Sequence, residues 1–213
     1  MTVVVTVLLT NTEDPQRGVT WSPDLQLVGK WASSIRGAKA VVLVDHAVGD
    51  LSSAEIVSVE SSTKSPYVAR WDRVVEYLSS VDDELVWVTD GTDVVMLREP
   101  WSEMSANTLY VGSEPETVGF WWMKEAHQDP GALAWIESNS HLPLLNAGLV
   151  GGSRETVIDF IDDLRRSLEK HPDGSDMAVF NMVAHSRPHV TGAQVHTVFR
   201  SFSDNGVAWW MHK

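Results

Sequence analysis

Glu84-Leu-Val-Trp-Val-Thr-Asp90-Gly-Thr-Asp93-Val94 is the stretch on which the fold turns. An apolar run leads straight into a short polar segment with two carboxylates and a glycine. A buried strand that ends this way can offer both aspartates to one divalent cation, because hard cations take oxygen ligands and one short turn can supply two. Such a site points to phosphate chemistry. The competing reading is a hairpin, since Asp-Gly between apolar runs is also a strong tight-turn signal. On these residues alone the two readings stand even.

Outward from this stretch, strands and helices alternate, which predicts an α/β fold with a mostly parallel central sheet covered by helices on both faces. Met1-Thr-Val-Val-Val-Thr-Val-Leu-Leu9 reads as a first buried strand ending near Thr10-Asn11, and Val41-Val-Leu-Val44 as a second. Ser22-Pro23 predicts a helix start, with Gly37 closing that helix. Ser65-Pro66 opens another, with Val68, Trp71, Val75 and Leu78 on one stripe. Asn107-Thr-Leu-Tyr-Val-Gly112 is a further strand, and residues 119–138, rich in Trp, read as short helices and loops. Leu144-Leu-Asn-Ala-Gly-Leu-Val-Gly-Gly152 is a glycine-rich strand feeding a helix capped by Ser153, with Val157, Ile161, Leu164 and Leu168 inward. Asp173-Gly174 reads as a turn, and Ser175 as the cap of a helix reaching about His185. Val195-His-Thr-Val-Phe-Arg-Ser-Phe202 alternates like a strand with one exposed face. No repeat or linker interrupts the series, so residues 1–213 read as a single domain.

Open α/β sheets bind ligands outside the carboxyl ends of their strands. Thr10-Asn11, residues 90–93 and residues 146–148 all fall at that edge, which favours a site over a hairpin. The Asp-x-Asp-Gly-Thr signature of haloacid-dehalogenase-like phosphatases fails here, because its nucleophilic Asp is replaced by Val88. The three glycines of residues 148–152 match neither Gly-x-Gly-x-x-Gly nor a P-loop.

Composition narrows the function further. A net charge of −13, from 29 acidic and 16 basic residues, disfavours nucleic acid, whose phosphates need a basic face. With no cysteine, neither a disulfide framework nor a thiolate metal site is possible. No stretch approaches the ~20 apolar residues of a membrane span. The short apolar N-terminus lacks a basic leader, so a cytoplasmic location is expected. Ten Trp residues are many for 213, and a minority are expected to line a sugar-binding or acceptor cleft.

Taken together, Tyr67-Val-Ala-Arg70, then Thr89-Asp90-Gly-Thr-Asp93-Val, then Leu145-Asn146-Ala-Gly148-Leu-Val-Gly-Gly152, then Ser175-Asp176 resemble a GT-A glycosyltransferase. The order is similar to the glycosyltransferase domain of procollagen lysyl hydroxylases, with its Thr/Ala-Asp-x-x-Asp-Val and Leu-Asn-Ser-Gly-x-x-x-Gly segments. The resemblance implies a single GT-A, Rossmann-like domain that moves a sugar from a nucleoside-diphosphate sugar, UDP-linked, to an unidentified protein, glycan or small-molecule acceptor. It implies Mn²⁺ (or Mg²⁺) held by Asp90, Asp93 and a C-terminal histidine. His212, in Val207-Ala-Trp-Trp-Met-His212, fits that place, and His196 is the second choice. Thr10, Asn11, Tyr67, Arg70, Asp90, Gly148 and Gly152 would contact the donor, while Asn146 and Asp176 would be catalytic. Two departures matter: Met177 follows Asp176 where the family has Gln, and the family's Gly-Asn-Gly has no counterpart after His212. They motivate an alternative, an inactive nucleotide-sugar-binding protein of the same fold. A nucleotidyltransferase is less favoured, because Thr10-Asn-Thr-Glu-Asp-Pro-Gln-Arg-Gly18 is acidic and has one glycine.

Overall fold

The computed structural model describes residues 1–15, 17–172 and 175–212, so the Asp173-Gly174 turn lies outside the described residues. In chain order the strands are β1 (Thr2–Leu8), β2 (Glu13–Asp14), β3 (Val19–Thr20), β4 (Lys39–Val44), β5 (Glu55–Ser58), β6 (Leu85–Thr89), β7 (Val94–Met96), β8 (Leu109–Thr117), β9 (Pro143–Ser153), β10 (His189–Val190) and β11 (Trp210–His212). The helices are α1 (Gly29–Ser34), α2 (Pro66–Ser79), α3 (Trp121–Glu125), α4 (Pro130–Ser138), α5 (Arg154–Lys170) and α6 (Met177–His185).

Seven strands form one sheet in the order β10-β8-β9-β6-β1-β4-β5. Neighbours run parallel except around β9, which is antiparallel to both β6 and β8. This mixed, mostly parallel α/β sheet is compatible with a Rossmann-like fold. Strands covered on both faces must be apolar at successive positions. In β1, Val3 and Val5 enter one core while Val4 and Leu8 enter the other. Val86 and Val88 of β6 oppose Trp87 in the same way, following the two-residue period of a strand.

Helices lie on both faces, as expected, but the two are covered unequally. One face packs against α2, α4, α5 and α6, through Trp71, Ile136, Phe160 and Phe180 among others. Among the described residues, the other holds only α1 and the short 3-10 turn Leu25–Val28 before it. The β7–β11 ribbon and the buried indoles of Trp209 and Trp210 complete that face. Its helical segment starts later than Ser22-Pro23: Asp24 accepts from the Gln26 N–H and caps the 3-10 turn. Ser153, by contrast, caps α5 by accepting from the Thr156 N–H, and the four predicted inward residues are all buried. The last of the long helices begins at Met177, with Asp176 rather than Ser175 at its N-cap position.

Residues 195–202 are not a strand. His196 makes a single bridge to Trp210, and positive φ at Arg200 (63°) and Phe202 (51°) turns the chain out of any ladder. Val195, His196 and Thr197 are buried in succession against β11 while Val198 and Phe202 are exposed, so the alternation in the sequence does not correspond to one buried face. The hairpin reading of Asp90-Gly91 also fails. β6 pairs with β1 and β9, whereas β7 leaves the sheet to pair with β11. A Cβ on Gly91 would lie 2.7 Å from Thr6 Oγ1 and 2.8 Å from Val28 Cγ1, so glycine lets this turn pack onto β1. No helix among the described residues is long and apolar enough to cross a membrane.

Candidate metal centre and paired clefts

From β1 the chain crosses outward to β4 and β5, then returns to place β6 on the other side of β1. The order therefore reverses between β1 and β6, and the crevice at their carboxyl ends is where such a sheet binds ligands. Asp90 stands at the end of β6, its N–H bonded to the Gly148 carbonyl at 2.9 Å. The turn through Gly91 and Thr92 brings Asp93 back beside it, just before β7. β11 then pairs with β7 so that His212 lies opposite Val94, next to Asp93.

As a result one ligand atom from each of Asp90, Asp93 and His212 lies within 4.8 Å of the others. A cation bound at ~2.1 Å holds its ligand atoms up to about 4.2 Å apart, so the cluster needs only a small closure to share one. The chemistry of the set fits. Two carboxylates supply charge, and burial, then His196, pushes His212 down to about 3, which keeps its imidazole in the neutral, ligating form. Its Nδ1 is buried without a hydrogen-bond partner among the described residues. His196, the second choice, is already engaged: its Nε2 accepts from the Ser113 N–H at 2.9 Å and its Nδ1 contacts the Thr197 carbonyl at 2.6 Å.

Arg70 of α2 braces this centre. Its Nη1 donates to Asp90 Oδ1 at 2.9 Å and its Nη2 to Asp176 Oδ2 at 2.7 Å. Burial alone would lower the guanidinium's pKa, but Asp176 and then Asp90 outweigh it and hold the charge more firmly than usual. Asp176 is almost fully buried and also accepts from the Trp71 indole at 2.7 Å. The carboxylate marked as catalytic by resemblance is thus held inside the protein by two donors.

The Arg70–Asp90 pair lies where two clefts meet, both lined by Tyr67, Arg70, Asp90 and Ala147. The first, of about 230 Å³, runs from the ends of β1 and β6 to Asp14, Arg17 and Trp21. Buried Asp14 is its hub, accepting from the Tyr67 hydroxyl at 2.8 Å and the Trp21 indole at 3.2 Å. Burial and Asp14 raise the Tyr67 phenol, so it stays protonated as a donor. Arg17 lies 4.4 Å over the Trp21 ring. The second cleft, of about 340 Å³, is walled by Glu114, Glu116, Phe120, Trp121, Trp122, Asn146, Gly148 and Phe199.

Of the residues expected from sequence, Tyr67, Arg70, Asp90, Asp93, Asn146, Gly148 and Asp176 line these clefts, and His212 joins Asp90 and Asp93. Thr10 and Asn11 sit at the expected sheet edge, but both N–H groups donate to Asp45 and neither residue lines either of these two clefts. Gly152 pairs with Val86, four residues beyond Gly148 along β9 and about 13 Å away, against the Thr108 carbonyl. Asp14, Trp21, Glu114 and Trp121 were missed. For Asp14 the only signal was an acidic loop, and for Trp121 the clustering of Trp in residues 119–138. Neither a protein-family model nor a curated protein matches this chain.

Proposed function

We propose that the protein is a metal-dependent glycosyltransferase of GT-A type, moving a sugar from a UDP-linked donor to an acceptor hydroxyl. The observation that carries this reading is the Asp90–Asp93–His212 cluster at the switch point of the sheet, where two clefts of different chemistry meet. Mn²⁺ or Mg²⁺ held by these three residues would neutralise the donor's diphosphate and, as a Lewis acid, the charge that develops on the leaving group. The protein's own residues do the rest. Trp21 and Tyr67 provide aromatic and hydrogen-bonding walls for the base and ribose, with Asp14 fixing the orientation of both. Arg17 supplies the first cleft with a cation for the diphosphate. Arg70 holds Asp90 in place, and Asn146 and Gly148 border the donor sugar.

Calorimetry with UDP and Mn²⁺ tests the reading. The wild type is expected to bind UDP in a Mn²⁺-dependent way, and Asp93→Ala to lose at least about tenfold in that affinity. No binding by the wild type, or unchanged binding in the variant, sinks it. One observation favours the inactive binding protein instead: Asp176 is fully engaged by Arg70 and Trp71. Release of free sugar from UDP-glucose, UDP-galactose or UDP-N-acetylglucosamine would exclude that alternative.

A further inference from the structure

With Asp176 turned inward, the second cleft needs another group to accept a proton, and β8 supplies one. The β8–β9 pairing slips between Ser113 and Thr117, which frees residues 114–116 from regular register. Irregularities of this kind re-aim side chains beside sites. Glu114 lines the cleft, its Oε1 accepting from Asn146 Nδ2 at 2.7 Å. Asn146 is nine-tenths buried, and its Oδ1 accepts from the Gly148 N–H at 2.7 Å, so the amide presents its NH₂ to Glu114. This chain of contacts ties Glu114 to Gly148, whose missing Cβ would sit 2.5 Å from Asp90 Oδ2. The carboxylate of Glu114 is therefore held on the acceptor side of the proposed metal centre.

The remaining walls define what would dock there. Trp121 is 60% exposed, with its ring 5.4 Å from that of Phe120, and both border the cleft, as does Phe199. A large indole left in water beside carboxylates is unusual for a residue with only a packing role. A sugar ring suits this surface: its C–H face carries slight positive charge and lies well on the negative face of an indole. Its hydroxyls are donors for Glu114 and Glu116.

We propose that the second cleft is the acceptor site for a glycoside, whose sugar ring rests on Trp121 and whose free hydroxyl gives its proton to Glu114. This inference rests on the glycosyl-transfer reading above. The acceptor oxygen forms the new bond to the anomeric carbon, and the bond from that carbon to the β-phosphate oxygen breaks. The electron pair leaves with the nucleoside diphosphate, and the proton passes to Glu114 and then to solvent. Burial raises the Glu114 carboxyl above the ordinary range, the Asn146 hydrogen bond opposes this, Glu116 adds to it and Arg200 lowers it. A carboxylate shifted in this direction is the better base.

The test combines UDP-glucose, UDP-galactose and UDP-N-acetylglucosamine as donors with 4-nitrophenyl glucoside, galactoside and xyloside as acceptors, in Mn²⁺. A lysine-rich peptide serves as the competing acceptor. UDP release and product mass are read for the wild type, Glu114→Gln and Trp121→Ala. A glycoside is expected to accelerate UDP release, Glu114→Gln to lower kcat by roughly 10²–10⁴-fold with acceptor KM little changed, and Trp121→Ala to raise acceptor KM about tenfold with kcat retained. Calorimetric UDP–Mn²⁺ affinity stays at the wild-type value in both variants, which also verifies their folding. If the wild type binds no UDP with Mn²⁺, the functional reading itself fails. If it binds UDP but no glycoside accelerates release, or only the peptide does, or either variant transfers like the wild type, the acceptor assignment is overturned.

Discussion

Replacing Gly148 by Ala separates the proposed metal centre from the fold more cleanly than removing one of its ligands would. A Cβ at Gly148 would stand 2.5 Å from Asp90 Oδ2 and 3.0 Å from both Asp90 Cγ and Asn146 Oδ1, where ordinary contact begins at 3.4 Å. Asp90 Oδ2 must therefore retreat by about 0.9 Å, the shortfall between those distances. The Asp90 N–H is pinned to the Gly148 carbonyl and its Oδ1 to Arg70, so the retreat is a rotation of the carboxylate. That side chain is 39% exposed and can turn into water, which limits the cost to the fold to about 1 kcal/mol. A bound ion holds each metal–ligand distance to within ~0.2 Å of its usual value. A shift several times larger is expected to weaken Mn²⁺ binding about 100-fold, equivalent to about 2.7 kcal/mol. Titration calorimetry of Mn²⁺ with UDP present, alongside urea denaturation, reads the two quantities separately. Wild-type Mn²⁺ affinity in a folded Gly148→Ala protein would refute the placement of Asp90 as a ligand.

Three further experiments probe the scaffold. Gly151→Ala puts a Cβ 2.4 Å from the Trp87 ring, which is fully buried with Trp210 and Trp209 rings at 5.3 and 6.2 Å. Nothing there can yield, so chemical denaturation should show a loss of about 3 kcal/mol, and a near-neutral result would mean the indole layer is loose. Arg70→Met leaves buried Asp176 without its cation and should destabilise by about 3 kcal/mol, and adding Asp176→Asn should recover most of it. Equal stability of single and double variants would contradict the coupling. Asp72 of α2 accepts from Lys64 and from Arg165 of α5. Burial raises its carboxyl, but these two cations outweigh it and hold the pKa below the usual range. A depressed carboxylate stabilises the fold above its unfolded pKa of about 3.9, and this stability disappears as pH falls through the lower, folded value. Between pH 5 and 3 the wild type should lose more stability than Asp72→Asn, as read by urea midpoints; parallel curves would show that the bridge contributes nothing.

What could be read from sequence follows the range over which each feature is determined. The runs in β1, β4 and β6 were legible because two-sided burial writes apolarity at successive positions. Ser153 was legible because a cap is a local bond, and Asp90 and Asp93 because one turn carries both. The failures are contacts between distant segments. Nothing near Asp176 signals Arg70, 106 residues away, or near Glu114 signals Asn146, 32 residues away. Residues 195–202 differ for a related reason: burial there falls on the successive Val195, His196 and Thr197, set by contacts with the distant β11, and two positive φ values, invisible in the pattern, prevent a strand. These long-range bonds alter the chemistry assigned to the site. Arg70 is shared between Asp90 and Asp176, so a cation arriving at Asp90 would draw on the carboxylate that Arg70 holds. Charge at the proposed metal centre and the inward lock on Asp176 would thus be linked through one guanidinium, while Glu114, bonded only to a neutral amide among these contacts, would keep its carboxylate for the second cleft.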